Sequence, residues 1–264
     1  MWSAAPAALL SGMTTSMTST PEAASGTIVS ATGLTRIFGE GEAAVTALDD
    51  VTVSFPAGRL TAIMGPSGSG KSTLMHLLAG LDAPTAGSVV LDGVELTGLD
   101  DGKLTELRRD RVGFIFQSFN LLPVLTAREN IELPMSIAGR TPDAEWLERV
   151  IDIVNIRDRL THRPSELSGG QQQRVAVARA LASRPAVVFA DEPTGNLDSK
   201  AGRDVLDLLR RSVDEVGQTI IMVTHDANAA AIADRLILLA DGKVVHDGAA
   251  GTSGEILDLM KDIG

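Results

Sequence analysis

The chain has 264 residues, 44% of them hydrophobic, which is enough to bury a sizeable core in one large α/β domain, alone or with a subdomain. A formal net charge of −11 sets it against nucleic acid, and the absence of cysteine excludes disulfides and thiolate metal sites. No run approaches the roughly 18–20 consecutive apolar residues that cross a bilayer, so membrane passage, if the function needs it, is expected of a separate polypeptide.

Residues 1–26 are rich in Ala, Ser and Thr and carry a single charge, Glu22. Such a segment has little reason to order and is expected to be a disordered leader or an over-long start. It lacks a basic n-region, and Ala7–Leu10 is too short an apolar run for a secretory signal. The folded domain is expected over 27–264. It opens with strand-like runs at Thr27–Thr32 and Ala47–Phe55, with Phe38–Glu42 as a hairpin loop between them.

The apolar run Leu60–Met64 leads into Gly65-Pro66-Ser67-Gly68-Ser69-Gly70-Lys71-Ser72-Thr73, which fits the P-loop (Walker A) pattern Gly-x4-Gly-Lys-[Ser/Thr] between a strand and a helix. Glycines let a loop turn several backbone N–H groups onto phosphates, and the helix that follows points its positive dipole end at them. Lys71 is expected to reach the β- and γ-phosphates of ATP, and the Ser72 hydroxyl to ligate Mg2+. Leu74, Leu77, Leu78 and Leu81 recur at helical spacing, which predicts a buried face that holds the loop rigid.

Gln117 follows the apolar run Phe114–Phe116, and its amide is suited to ligate Mg2+ or orient water. Residues 119–164 read as helical and are punctuated by Pro123, Pro134, Pro142 and Pro164. Within them Trp146, Leu147, Val150, Ile151 and Val154 predict an amphipathic helix over Asp143–Leu160. Next comes Leu167-Ser168-Gly169-Gly170-Gln171, ahead of the helical stretch to Leu181. Ser168, Gly169 and Gly170 are expected to form a helix N-terminus with exposed N–H donors, a second anion site about a hundred residues from the first. One triphosphate does not readily occupy both in one subunit, so a head-to-tail dimer with ATP at the interface is the economical arrangement.

The apolar strand Ala186–Ala190 ends in Asp191 and Glu192. Alternation along a strand gives the two carboxylates different directions, so Asp191 is assigned to hydrated Mg2+ and Glu192 to the attacking water. Asp198 lies just beyond, placed to reach across a dimer interface or to cap a helix. His225 ends the strand Thr219–Thr224 and is placed to hydrogen-bond the γ-phosphate. His76, His162 and His246 are too scattered to suggest a zinc site.

In their order, the P-loop at 65–72, Gln117, the Leu167–Gln171 signature, Asp191/Glu192, Asp198 and His225 resemble the nucleotide-binding subunit of an ABC transporter, over roughly residues 28–248. The resemblance implies a P-loop NTPase core with an N-terminal antiparallel β layer and an inserted helical subdomain at about 119–164. It implies a homodimer in which the signature of one subunit closes on the ATP held by the P-loop of the other. Phe38 falls where the family places an aromatic, commonly tyrosine, that stacks on adenine, and a phenyl ring supplies the π-face that stacking needs. The partner implied is an integral-membrane permease that holds the ATPase on the cytoplasmic face of the membrane. The apolar stretch Phe119–Leu125 then either lines a groove for a permease helix or packs internally.

Finer motifs, Gly80-Leu81-Asp82-x-Pro84-Thr85-x-Gly87, Asn120–Pro123, Thr126–Asn130 and Asp191–Asp198, are similar to the subfamily of lipoprotein release, macrolide or peptide efflux and cell-envelope mechanotransmission. Chromosome-associated ATPases with the same signature insert long coiled coils before it, and translation-factor ATPases carry two cassettes. Neither feature is found in this sequence.

Overall fold

A computed structural model describes Met1 and residues 26–263. The expected leader, but for its two end residues, lies outside the described residues. Strands β1 (Thr27–Phe38) and β2 (Val45–Pro56) pair antiparallel, and β1 pairs on its other side with β4 (Ala86–Leu91), which is followed by β5 (Val94–Glu95). The antiparallel layer is therefore only half N-terminal in sequence, since two of its strands arrive after the P-loop helix. β1 is twice the expected length because register shifts after Ala31 let pairing continue to Phe38. Phe38 thus stands at the end of a strand, opposite Val45, and not in the hairpin loop.

The second sheet takes the order β10-β9-β3-β8-β7-β6, from β3 (Leu60–Met64), β6 (Val112–Phe116), β7 (Val187–Asp191), β8 (Ile220–Val223), β9 (Arg235–Ala240) and β10 (Lys243–Ala249). All its pairs are parallel except β9 with β10. Its central strands are unbroken apolar runs because both faces are covered. Alternation then sorts their side chains into two cores. Ile63, Phe189, Ile221 and Ile237 face the antiparallel sheet and α1 (Lys71–Leu78), whereas Ala62, Met64, Val188 and Met222 face helices that follow β6. The arrangement is the α/β fold that the sequence predicts.

Helices α2 (Asp101–Arg111), α3 (Ala127–Ile137), α4 (Ala144–Val154), α5 (Gly169–Leu181), α6 (Ser199–Val216), α7 (Ala227–Ala230) and α8 (Ser253–Lys261) complete the fold. Two expectations need correction. α1 stops at Leu78, where the Leu81 N–H closes back on the His76 carbonyl, so Leu81 leaves the buried face and is 46% exposed. α4 ends six residues before Leu160, because Asn155 adopts a left-handed φ of 51° that asparagine tolerates. The apolar face of α4 is otherwise as expected, with Leu147, Val150, Ile151 and Val154 buried against the α5 side of the molecule. α3 and α4 are the two α-helices within 119–164, and α3 starts on a capping box of Thr126 and Glu129.

Candidate nucleotide site

The register of the parallel strands builds the site. Ile63, Val223, Asp191 and Phe116 stand side by side across β3, β8, β7 and β6. The next residues along, Met64, Thr224, Glu192 and Gln117, therefore share one row at the carboxyl ends of four adjacent strands, some 4.8 Å apart from strand to strand. Chain segments far apart in sequence meet here because every strand of the row runs the same way.

The P-loop leaves β3 at one end of this row. A Cβ on Gly65 would lie 2.1 Å from the Leu239 carbonyl oxygen and one on Gly70 2.4 Å from that of Ala47, so no larger residue fits where the loop is clamped between β9 and β2. Ser67, Gly68 and Ser72 are exposed, while Ser69 is buried with an Oγ that has no hydrogen-bond partner among the described residues. The Lys71 Nζ donates to the carbonyls of Gly65 and Pro66 at 2.9 and 2.8 Å and pairs with no carboxylate among the described residues. Burial holds its pKa below the ordinary lysine value, against the pull of Glu192 and Asp191. An orphaned hydroxyl, a half-desolvated cation without a counter-ion and a helix N-terminus at Gly70–Lys71 together fit a phosphate chain.

Asp191 ends β7, and burial followed by the neighbouring Glu192 charge raises its pKa, with His76 and Lys71 opposing. Glu192 is not a continuation of the strand. Its φ of 46° turns it out of the strand conformation, so its direction comes from a left-handed kink and not from the alternation that the sequence suggests. Its carboxylate meets two neighbours beyond β8: Oε1 lies 2.8 Å from His225 Nδ1, and Oε2 accepts from Thr224 Oγ1 at 3.2 Å. Two adjacent acidic groups near a phosphate site, with a serine hydroxyl at Ser72 and an amide at Gln117, suit Mg2+, which keeps waters and phosphate oxygens in its shell and needs few protein ligands. Among the described residues no group of three or more His, Cys, Asp or Glu side chains is placed to hold a metal ion by itself.

Gln117 is exposed, and its side chain lies against the loop after Glu192, where its Nε2 donates to Asn196 Oδ1 at 3.1 Å. Asn196 Nδ2 in turn donates to the Gln117 carbonyl at 3.0 Å.

A separate cleft holds the second anion site. Ser168 caps α5 through a capping box with Gln171, leaving Gly169 and Gly170 in the first turn, where N–H groups have no intrahelical acceptor. Asp198 caps α6, accepting from Lys200 and Ala201 N–H at 2.9 Å each, which holds its pKa below the usual aspartate value. A Cβ on Gly170 would stand 3.0 Å from the Ala201 Cβ, and this close approach of α5 to α6 puts Ser168, Gly170, Gln171 and Asp198 around one groove that includes no P-loop residue. Phe38 forms a third location, 43% exposed, with the Arg36 guanidinium 4.6 Å from its ring centre. Of the expected residues, then, 65–73, Gln117, Asp191, Glu192 and His225 come together at the strand ends, while Ser168–Gln171 and Asp198 form their own group.

The sequence profile of the ABC transporter family matches residues 48–195. The chain belongs to the ABC transporter family. This ABC ATPase is 50% identical over 226 residues to the macrolide export ATP-binding/permease protein MacB of Marinobacter nauticus, covering 84% of this chain and only 35% of that one. It is 45% identical over 220 residues to the uncharacterized ABC transporter ATP-binding protein MJ0796 of Methanocaldococcus jannaschii, covering 81% of this chain and 94% of the relative. The solved dimeric structure of the MJ0796 cassette aligns with a TM-score of 0.75 at 41% identity, over 85% of this chain and 99% of that one. A dimeric post-hydrolysis state of MJ0796 bound to ADP and Pi aligns with a TM-score of 0.74 at 42% identity over the same shares. The ABC ATPase fold and the likeness to the macrolide-efflux type are thus as the motifs imply. No described helix is long and apolar enough to cross a membrane.

Several contacts had no sequence signal in this ABC ATPase. Thr224 on Glu192, Asn196 on Gln117, and the buried Gln173, whose Nε2 donates to the Pro193 carbonyl at 2.7 Å, are all long-range pairings. Their only trace in the sequence is adjacency to a motif.

Proposed function

We propose that this ABC ATPase works as a head-to-tail homodimer that encloses two ATP and drives a separate membrane permease, in efflux or in lipoprotein or peptide export. One observation carries the reading: the helix N-termini of α1 and α5 both suit phosphate, yet the groove at the α5 N-terminus includes no residue of the P-loop of the same chain. Only a second subunit brings the signature of one to the P-loop of the other. The dimeric cassettes of MJ0796 support this arrangement, and the macrolide-export relative, whose name joins ATP-binding and permease functions, supports a permease partner.

Within that reading Lys71 and the loop 65–73 hold the β- and γ-phosphates, Phe38 stacks on the adenine, and Glu192 takes the proton of the attacking water. His225 keeps Glu192 oriented and reaches the γ-phosphate. Ser168, Gly169, Gly170 and Gln171 present N–H groups and side chains to the γ-phosphate of the opposite subunit, with Asp198 at the interface. Ser72, Asp191 and Gln117 would hold Mg2+, whose charge would offset that of the phosphate oxygens.

An apolar groove of about 400 Å3, lined by Val112, Phe114, Leu133, Pro134 and Ile137, lies between β6, α3 and α5 and supports the docking of a permease segment. Arg179 on its wall donates to the Phe119 carbonyl at 2.9 Å and to that of Asn120, so the groove adjoins the loop that begins at Gln117. Leu122 and Val124 in this loop are exposed, Val124 at 72%, which favours the docking reading over internal packing. Through the permease, the ATPase would sit peripherally on the cytoplasmic face of the membrane.

Sedimentation of Glu192→Gln tests the dimer. With ATP it is expected to sediment as a dimer and without nucleotide as a monomer. A monomer under both conditions would overturn the reading.

A further inference from the structure

We infer that Asn196 is a positioning residue that sets which end of the Gln117 amide is offered to the metal. The inference rests on the proposed role of Gln117 as an Mg2+ ligand. Only the oxygen of an amide binds a hard cation, because the NH2 end carries two donors and no lone pair for it. A freely rotating glutamine presents either end.

The structure removes that choice in three steps. The backbone carbonyl of Gln117 can only accept, so the atom of Asn196 that faces it at 3.0 Å must be Nδ2. With Nδ2 committed, Asn196 turns Oδ1 toward the Gln117 side chain. That oxygen can also only accept, so the atom of Gln117 that meets it at 3.1 Å must be Nε2. What remains is Gln117 Oε1, which accepts no hydrogen bond from any described residue. The carbonyl of Gln117 thus dictates, by way of Asn196, the orientation of the side chain on the same residue.

Gly195 makes room for this arrangement. A Cβ there would lie 2.8 Å from Gln117 Nε2, 3.1 Å from Cδ and 3.2 Å from Cγ, so the glutamine side chain lies directly across the glycine. The backbone of Gly195 is not in the left-handed region, and alanine is conformationally acceptable there. Alanine would displace the Gln117 side chain without straining the loop. Gly195 therefore seats the Gln117 side chain and Asn196 orients it. Because Asn196 stands two residues before Asp198, the same contact ties the loop that begins at Gln117 to the start of α6.

The test measures metal binding without turnover. Mn2+ affinity is read from the free-ion EPR signal, with the protein saturated by a non-hydrolysable ATP analogue. Gln117→Leu removes the ligand, Asn196→Leu keeps the volume but removes both hydrogen bonds, and Gly195→Ala pushes the amide away. Asn196→Leu and Gly195→Ala are each expected to raise the Mn2+ Kd about tenfold, the effect usual for a residue that orients a ligand. Analogue affinity in EDTA should stay at the wild-type value. The double variant Gln117→Leu/Asn196→Leu should bind Mn2+ no more weakly than Gln117→Leu alone. A shift in Gln117→Leu with none in Asn196→Leu and Gly195→Ala overturns this inference and leaves the ligand role standing. An unchanged Kd in Gln117→Leu overturns the ligand role, and this inference with it.

Discussion

Glu192 and His225, 33 residues apart in sequence, meet with Oε1 and Nδ1 at 2.8 Å because parallel pairing of β7 with β8 aligns Asp191 with Val223. The Thr224 hydroxyl completes the hold on the carboxylate from the other oxygen. In the proposed mechanism, a carboxylate fixed by two contacts needs no reorganisation as it takes a proton from the attacking water, which is the condition for efficient proton abstraction.

Glu192→Gln preserves the size of the side chain and can still hydrogen-bond both His225 and Thr224, so it separates charge from geometry. ATP turnover is expected to fall on the order of 100-fold or more, with ATP binding retained. Steady-state hydrolysis within a few-fold of wild type would remove Glu192 from the chemistry.

Lys71→Ala deletes a cation whose hydrogen bonds among the described residues go to two loop carbonyls, so the fold should persist while nucleotide affinity and hydrolysis both fall. Titration with a fluorescent ATP analogue reads the first, and phosphate release the second. If neither changes, the loop 65–73 is not the working nucleotide site.

The motifs were legible because each is a local solution to a local problem. A loop pressed against the backbone of β9 and β2 needs glycine at 65 and 70, and the Leu74, Leu77 and Leu78 spacing declares the helix behind it. Leu81 was misjudged because periodicity does not record where backbone closure ends a helix. The kink at Glu192 was equally invisible, since a non-glycine residue at positive φ is stabilised by its surroundings and leaves no mark in composition. Contacts such as Gln117 with Asn196, 79 positions apart, depend on strand order, and order is a property of the whole chain.

Asp191 carries a stability cost in the nucleotide-free protein. Its folded pKa lies above the unfolded one, so the folded state binds the extra proton, and stability is lost as pH rises from the unfolded value through the folded one. Asp191→Asn should therefore raise Tm at neutral pH in EDTA. The group is partly solvated, so the gain is on the order of 1 kcal/mol or less, equivalent to about 2–4 °C at most for a chain of this size. The difference should shrink as pH falls through the folded value toward the unfolded one, about 4, below which both states carry a protonated aspartate. A lower Tm for Asp191→Asn under these conditions would show that the carboxylate is a net structural partner.

The composite site makes the most direct demand on geometry, and the lack of cysteine gives a background free of native thiols. Ser69 is buried, so the suitable P-loop position is the exposed Ser67, paired with the exposed Ser168 at the α5 cap. A chain carrying Ser67→Cys and Ser168→Cys, in the Glu192→Gln background to hold ATP, should form a dimer band on a non-reducing gel when ATP is present. The band should be weak without nucleotide, because closure is what brings the two helix N-termini onto one γ-phosphate. The single-cysteine chains control for Ser67–Ser67 and Ser168–Ser168 pairs, which a head-to-tail arrangement keeps apart. A crosslink that forms only within one chain, or equally well with and without ATP, would refute the shared site and leave Leu167–Gln171 as an ordinary helix cap.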